Sequence, residues 1–357
     1  MKKLIKQLIH KNQLYKTRKR WLEEENKFFS QKKFPPLESK EIKEINKVWK
    51  GLSFSNKHIK SHRIYKSLHG FNAKYLSMPI YDPIIVRALN PFQDACVFVN
   101  KGLFDNLFSG LPQPYYFVKR IDNHYFSSGS KLITKNEAID ILSNQNKFII
   151  KPSINSHGGA NIKLICDYLS KKEINDLLKE YKSDFITQEI IEQHEDTAKF
   201  NPQSLNTIRL MSLFINDHVS VLKSALRCGQ NGSEIDNASA GGLMIKINKD
   251  GSLEDFGIDH RLDKIYQTSN GIIIKNQKIT HYSKLEKIVI ENHPKLYPTL
   301  HLIAWDFAID KNGNPIFIEG NTKVPGIFWI QLCAGPIFGE RTKEVIDYVI
   351  SKKKIKR

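Results

Sequence analysis

One segment near the C-terminal end constrains the fold more than any other part of the chain. It runs from Trp305 to Asn321 (WDFAIDKNGNPIFIEGN) and places two apolar, strand-like runs on either side of Asn312-Gly313. Asn-Gly is the dipeptide most typical of a tight hairpin turn, because both residues tolerate a positive φ. The segment therefore predicts two antiparallel strands, and the fold must contain an antiparallel sheet.

The spacing within this hairpin also predicts a pair of carboxylates. If the loop holds an even number of residues centred on Asn312-Gly313, Asp306 lies opposite Glu319 and Asn321 shares their face. Opposed carboxylates repel each other, but a bound divalent cation makes the pairing favourable. Oxygen ligands without His or Cys suit Mg²⁺ shared with substrate phosphates better than zinc. Two alternatives remain open here: an exposed hairpin with solvated acids, and a three-residue loop whose glycine bulge shifts the register.

A second candidate site follows the predicted strand Lys147 to Pro152. Lys151 ends this strand, and the small, polar loop after it contains Ser156, Gly158 and Gly159. Backbone N–H groups of such a loop can hold phosphate oxygens, while the lysine supplies a positive charge. The loop is neither a Walker A sequence nor a GxGxxG fingerprint, and a simple turn is the alternative interpretation.

Two arginines and a small-residue loop form a third cluster. Arg209 ends the run SLNTIR, Arg227 directly follows the predicted strand 219–226, and DNASAGG occupies residues 236–242. Taken singly, each cation is typical of a surface salt bridge.

The remaining pattern predicts helices and strands in a mixed order. Capping boxes at Thr134 and Ser170 open two helices, and residues 37–90 are expected to be mostly helical, with His58 and His62 on the surface. We expect a strand at Asp94–Asn100 that delivers Lys101. Further strands are expected at residues 114–118, 147–152, 161–165, 185–190, 207–214, 219–226, 242–247, 272–274, 303–309 and 316–319, and a last helix at residues 342–350.

Composition narrows the class of protein. The 357 residues are 40% hydrophobic and carry a net charge of +18, which is typical of a globular protein with anionic partners. The four cysteines form no CxxC pair and are expected to be reduced. With no signal peptide and no long apolar run, we interpret the chain as cytoplasmic.

Residues 1–33 hold eleven Lys or Arg and three Glu, a local balance of +8. Leu4, Ile5, Leu8 and Ile9 lie at helical spacing, so a basic amphipathic helix is predicted. It either packs on the protein or contacts an anionic membrane surface at the inner face.

The order of these motifs resembles the ATP-grasp superfamily. More closely, SxNTIR, RxGxxGSEIDNASAGG and WDFAIDxNGxPIFIEGN resemble the sugar-transfer-associated ATP-grasp proteins found with bacterial surface-polysaccharide genes. The resemblance covers roughly residues 94–345. It implies an α+β fold, an ATP-grasp fold of two α+β subdomains after a basic, mostly helical N-terminal region. The boundaries would be 1–93 for that region, 94–193 for a linker strand and small subdomain, 194–351 for the large subdomain, and 352–357 for a basic tail.

The resemblance also implies roles for single residues. ATP phosphates would be held by Lys101 and Lys151 with the loop residues Ser156, Gly158 and Gly159. Adenine would be read by Gln188 and the backbone of Ile190 and Ile191, and the ribose hydroxyls by Glu195. Mg²⁺, as two ions, would be bound by Asp306, Glu319 and Asn321. Arg209 and Arg227 would face the transferred phosphoryl group or the carboxylate. Two departures are notable, since many members carry Glu where Gln188 stands, and His157 interrupts the glycine loop.

The activity implied is ATP-dependent ligation of a carboxylate to an amine through an acyl phosphate. A sugar acid or glycan precursor of surface polysaccharide synthesis is the expected substrate, and nucleic acid is not expected as a partner. Two alternatives remain. The fold could phosphorylate a sugar hydroxyl, or it could be an inactive basic binding protein for an anionic polymer.

Overall fold

A computed structural model describes residues 2–154, 161–182 and 184–355, with side chains described between residues 11 and 352 outside those gaps. The α-helices are α1 (Lys2–Gln31), α2 (Ser39–Val48), α3 (His62–His69), α4 (Met78–Ile80), α5 (Arg87–Leu89), α6 (Phe92–Cys96), α7 (Phe104–Leu107), α8 (Lys135–Ser143), α9 (Lys171–Glu180), α10 (Glu195–Ala198), α11 (Tyr282–Leu296), α12 (Phe328–Ala334) and α13 (Thr342–Ile355). A π-helix spans Tyr81–Val86, and 3₁₀ turns cover Asn56–Ile59, Val97–Val99, Lys101–Leu103, Ser128–Ser130, Ala238–Ala240 and Gly339–Arg341.

Two antiparallel sheets carry the strands of these described ranges. The smaller sheet has the order β3-β2-β1-β6-β4-β5, and the larger has the order β11-β10-β9-β8-β7-β12-β13. The strands are β1 (Tyr116–Ile121), β2 (His124–Ser127), β3 (Lys131–Ile133), β4 (Phe148–Pro152), β5 (Lys163–Ile165), β6 (Phe185–Gln188), β7 (Thr207–Ile215), β8 (His218–Cys228), β9 (Leu243–Ile247), β10 (Leu253–Ile258), β11 (Lys264–Ile265), β12 (Leu302–Ile309) and β13 (Pro315–Asn321). The predicted α+β class is confirmed.

The smaller sheet has one apolar face and one face that carries polar side chains. Helices α8 and α9 begin at the predicted capping boxes, where Thr134 and Ser170 each accept a hydrogen bond from the amide three residues on. These helices pack on the face that buries Ile150 and Phe185. Register places Ile149 opposite Gln188, so the other face carries Lys151 and Gln188 together.

The larger sheet is covered on both faces. Its first face buries Met211 and Ala304 in one cluster with the N-terminal helices and α12. Its second face buries Leu210 and Trp305 against α11, and the Trp305 indole N–H donates to the Ser212 hydroxyl at 2.7 Å. The helices of the N-terminal region and the large sheet thus share one core. The predicted domain boundaries remain predictions.

Three local predictions are wrong. Asp94–Asn100 is helix α6 followed by a 3₁₀ turn, because a short apolar run has no period that separates strand from helix. Residues 272–274 form no strand within the described ranges and make only an isolated bridge at Ile273. His58 and His62 are buried rather than on the surface, and burial lowers the pKa of each ring to about 4.

The basic N-terminal helix α1 extends far beyond the apolar stripe from Leu4 to Ile9 that predicts it. Along α1, Leu14, Trp21 and Phe28 pack against the shared core. The side chains of Leu4, Ile5, Leu8 and Ile9 lie outside the described residues, so membrane contact through this stripe remains a prediction. In the part of the chain that is described, no helix combines the length and the apolar character needed to cross a bilayer.

Glu25 is the most unusual residue of this helix. It is 3% exposed, and among the described residues neither carboxylate oxygen has a hydrogen-bond partner. Burial raises its pKa from 4.5 to about 8, against smaller opposing effects of Ser61 and Lys60. At neutral pH the folded protein therefore holds Glu25 as a neutral acid.

We expect Glu25→Gln to stabilise the protein at neutral pH. The unfolded chain loses this proton above pH 4.5 while the folded chain keeps it to about 8, so wild-type stability falls across that window. At pH 7.5 the variant should gain about 2 to 4 kcal/mol in the free energy of unfolding, with no gain near pH 4. Urea unfolding at the two pH values measures this. Glu23→Gln, at an exposed position of the same helix, is the control, and an equal response of both variants would contradict the assignment.

Candidate functional site

Register places three charged side chains in one row across the large sheet. Arg209 of β7 pairs with Asp306 of β12, and Asp306 pairs with Glu319 of β13. Paired residues of adjacent strands project to the same face, so the row continues the face that packs on the N-terminal helices. The sequence prediction that Asp306 opposes Glu319 is confirmed.

The hairpin reaches this register by a different route from the one predicted. Ile309 pairs with Pro315, which leaves an odd number of residues in the turn, and Gly313 has φ 78°. A bulge between the Asp306 and Phe307 pairs then inserts Ile318 into β13 and shifts the register by one. The even loop assumed from Asn312-Gly313 is therefore wrong, and the bulge restores the predicted carboxylate pair.

Asp306 is held by both arginines of the site. The Arg209 guanidinium donates to it through Nε at 2.8 Å and Nη2 at 2.6 Å, and Arg227 Nη1 donates at 3.1 Å. The Asp306 side chain is 2% exposed. Burial lowers the pKa of Arg209, but Asp306 and Glu319 outweigh that effect and raise the pKa above its ordinary value. The predicted arginines and the predicted acid are thus one buried ion-pair network.

Glu319 and Asn321 complete the acidic side of this network. Lys101 Nζ lies 2.8 Å from Glu319 Oε2. Burial would raise the pKa of Glu319, but Lys101 and the two arginines lower it to about 2, so the carboxylate is charged. Asn321 Nδ2 lies 3.3 Å from Asp306 and 3.2 Å from Glu319.

Lys151 brings a second lysine from the smaller sheet. It is 8% exposed, and burial and the neighbouring Lys101 lower its pKa to about 8, although Glu319 acts in the opposite direction. A backbone hydrogen bond also links the segments that carry the two lysines. The Lys101 amide donates to the carbonyl of Ser153, two residues after Lys151, at 2.8 Å. The two sheets therefore meet at a junction of lysines and carboxylates.

The sequence reasoning missed Asp236, which lies in the conspicuous loop after Arg227. Its carboxylate accepts from Arg227 Nη2 at 3.1 Å and from the Thr207 hydroxyl. A Cβ on Gly242 would approach the Asp236 carbonyl to 2.6 Å, so glycine is required for the loop to fold back on itself. The glycines that flank the motif are the signal that points to this half-buried acid.

The residues implied for adenine and ribose lie at the end of β6 and beyond it. Gln188 is 8% exposed, and its Oε1 has no hydrogen-bond partner among the described residues. Ile190 and Ile191 are half-buried, and Glu195 is exposed at the start of α10. The loop residues Ser156, Gly158 and Gly159 lie outside the described residues.

The donor set suits a hard cation such as Mg²⁺. Asp306 and Glu319 bring two carboxylates together without histidine or cysteine, and the Asn321 amide, whose Nδ2 faces both of them here, would present its oxygen to a metal after rotation of the amide group. This donor set contains only two acids, so it is not a cluster of three His, Cys, Asp or Glu residues. The rest of the described ranges contains no such cluster able to hold a metal either. In the arrangement observed, the positive charges of Lys101, Arg209 and Arg227 neutralise the carboxylates.

Comparison with known families identifies this combination of fold and charged row. The ATP-grasp class fits two antiparallel sheets that meet at lysines and a carboxylate hairpin. Residues 85–347 match the family described as sugar-transfer associated ATP-grasp, and the chain belongs to that family. The resemblance inferred from the motifs is confirmed.

Solved structures show weaker similarity. The D-alanine-D-alanine ligase from Coxiella burnetii is 12% identical with a TM-score of 0.40, and the match covers 75% of this chain and 63% of that one. The L-amino acid ligase from Bacillus licheniformis is 13% identical with a TM-score of 0.42, covering 73% and 49%. This chain therefore spans less than two thirds of the length of these ligases. No protein of curated function matches the chain.

We expect Asp306→Asn to cost more stability than Glu319→Gln. Loss of the Asp306 charge leaves two buried guanidinium groups without their main partner, at a cost of about 2 to 4 kcal/mol in the free energy of unfolding. Glu319 is 26% exposed and has one lysine partner, so its change should cost less than about 1.5 kcal/mol. Urea denaturation followed by circular dichroism gives both values, and equal losses would contradict the ion-pair network.

Proposed function

We propose that this protein is an ATP-dependent ligase that joins a carboxylate to an amine. The observation that carries the proposal is the convergence of Lys101 and Lys151 with Asp306, Glu319 and Asn321 where the two sheets meet. Phosphoryl transfer needs positioning and charge stabilisation rather than a nucleophilic side chain. This cluster offers cations for phosphate oxygens and hard oxygen ligands for a metal in one place.

Each group has a distinct task in the proposed reaction. Asp306, Glu319 and Asn321 would hold Mg²⁺, which when bound neutralises charge on the β- and γ-phosphates. Lys101 and Lys151 would bind phosphate oxygens directly. Arg209 and Arg227, already fixed by Asp306, would orient the substrate carboxylate or the transferred phosphoryl group.

The reaction proceeds in two balanced steps. A carboxylate oxygen of the substrate attacks the γ-phosphorus, and the bond to the β–γ bridging oxygen breaks to release ADP. An amine then attacks the acyl carbon, loses a proton and releases phosphate as the amide forms. The cations stabilise the negative charge that develops on the phosphoryl oxygens, and burial of the row strengthens that effect.

The adenine side of the proposal rests on Gln188. Its buried, unpartnered amide oxygen fits the exocyclic amino group of adenine, which donates two hydrogen bonds. The backbone at Ile190 and Ile191 would bind the same base, and Glu195 would bind the ribose hydroxyls. The loop residues Ser156, Gly158 and Gly159 would bind phosphate oxygens through their backbone N–H groups.

The family description favours a sugar-linked substrate, so we propose a sugar acid of surface polysaccharide synthesis as the carboxylate. Because ATP is consumed, we propose that the reaction takes place in the cytoplasm.

Transfer of the phosphoryl group to a sugar hydroxyl is the second candidate function, since the same cations would stabilise that transfer. Release of inorganic phosphate with ADP distinguishes ligation from phosphotransfer, which retains the phosphoryl group on the sugar.

Glu319→Gln is expected to lower ADP release by at least about 100-fold, because it removes a charged ligand of the metal site while the cost in stability is small. The assay combines Mg·ATP with a panel of uronic acids and amino acids. Glu340→Gln, at a fully solvated position beside Lys74, is the matched control. Turnover at the wild-type rate in the Glu319 variant would remove it from the metal site.

Lys151 should take up a proton when nucleotide binds. With a pKa near 8, most of the lysine is neutral at pH 8.5, and bound phosphates raise that pKa. Calorimetric titration of Mg·ADP in buffers of different ionisation enthalpy should therefore show uptake of about half a proton or more at pH 8.5 and little at pH 6.5. Lys151→Met should abolish the uptake, and Lys147→Met, at an exposed position nearby, should retain it. Uptake that persists in Lys151→Met would assign the proton elsewhere.

A further inference from the structure

A second cluster of cations lies where β13 ends. It consists of Arg20, Arg87 and Lys323 with the ring of Phe92, and we call it the Phe92 cluster. The Arg87 guanidinium and the Lys323 ammonium lie 5.0 Å and 5.1 Å from the centroid of the Phe92 ring. The ring is 48% exposed, so the cluster faces solvent.

One buried acid fixes the two arginines. Asp82 is 1% exposed and accepts hydrogen bonds from Arg20 at 2.9 Å, Arg87 at 3.2 Å and the Trp21 indole N–H at 2.8 Å. It lies in the π-helix Tyr81–Val86, a geometry frequent at functional sites. The carboxylate therefore orients the guanidinium groups of two separate elements, of which Arg87 lies beside Phe92 and Arg20 lies over the Trp21 ring.

The charges of the Phe92 cluster do not balance. Asp82 supplies one negative charge against the three positive charges of Arg20, Arg87 and Lys323. Among the described side chains, no ion pair joins Lys323 to an acid. Two positive charges are therefore in excess around an exposed aromatic ring, which is the electrostatic character of an anion-binding surface.

The cluster is fixed close to the candidate site. The Thr322 hydroxyl donates to the Ala95 carbonyl at 2.8 Å, and Asn90 Nδ2 donates to the Thr322 carbonyl at 2.6 Å. These bonds join α6, which begins at Phe92, and Asn90, which precedes it, to the residue that follows Asn321. Lys323 is four residues beyond Glu319, a separation of about 13 Å at most along an extended chain. One ligand the size of a disaccharide can contact both.

We propose that the Phe92 cluster binds the anionic group of an acidic sugar that serves as substrate at the neighbouring row. Arg87 and Lys323 would pair with an anionic group of the sugar other than the reacting carboxylate, either a second carboxylate or a phosphate, and the exposed part of the Phe92 ring would pack against the apolar C–H face of the pyranose. The inference rests on the proposed function for the identity of the reacting end. The compact cluster, centred on one ring, matches a single anionic group better than the extended backbone of a nucleic acid.

The test measures sugar binding with the nucleotide site already filled. Full-length protein saturated with Mg·ADP is titrated separately with glucuronic acid, glucose 1-phosphate and glucose, with binding followed by saturation-transfer NMR. At least one of the two anionic sugars should bind, and the comparison between them identifies carboxylate or phosphate as the preferred group. Glucose should bind more weakly, and added salt should weaken the anionic sugar.

Two variants test the cluster directly. Lys323→Ala and Phe92→Leu should each lower the affinity for the anionic sugar, the first by about tenfold, because one charge-assisted contact is lost. Lys249→Ala, at an exposed position in the turn between β9 and β10, is the matched control and should leave it unchanged. The Mg·ADP affinity of all three should equal that of the wild type, since none belongs to the nucleotide site.

The outcomes separate this inference from the proposed function. A loss of sugar affinity in Lys323→Ala but not in Lys249→Ala supports the cluster, even if no tested sugar gives turnover. Equal sugar affinity in Lys323→Ala and Lys249→Ala overturns the cluster even if ligation is found. Failure of both anionic sugars to bind the wild type, or binding to anionic phospholipid vesicles in their place, also overturns it.

Discussion

The ion pairs of Asp306 support the rest of the site. Burying one carboxylate and two guanidinium groups carries a large desolvation cost, and only hydrogen bonds of good geometry offset it. Arg209 meets that condition with two parallel bonds, and Arg227 adds a third while it also reaches Asp236. The network thereby ties β7, β8 and β12 to the loop after Arg227. Charges that are rigid before a substrate arrives need no reorganisation during reaction.

The junction between the sheets is less rigid than the arginine network, because its lysines have alternative partners. Lys101 Nζ lies 2.8 Å from Glu319, and the charges of both residues act on the pKa of Lys151, Lys101 lowering it and Glu319 raising it. A phosphate chain would compete with Glu319 for these ammonium groups. Exchange of partners is therefore inexpensive at the edge contributed by the small sheet, whereas the arginine side remains fixed.

Sequence patterns predict the parts of this structure that local chemistry decides. The capping boxes at Thr134 and Ser170, the hairpin and the carboxylate pair follow from short motifs and are confirmed. The bulge at Ile318 could not be predicted, because it depends on how β13 fits β12 rather than on the turn residues. Burial of His58 and the partners of Asp236 depend on contacts between distant segments, and no local pattern encodes them.

The core shared by the N-terminal helices and the large sheet bears on how the chain could be divided. The family match begins at residue 85, yet Trp49, Tyr65 and Tyr81 pack in the same cluster as Met211 and Ile330. Excision at the family boundary would leave a broad apolar surface in water, and such surfaces drive self-association. The part of the chain that matches the family is therefore not an autonomous module, and transplanting it into another protein requires that its helical cover travel with it.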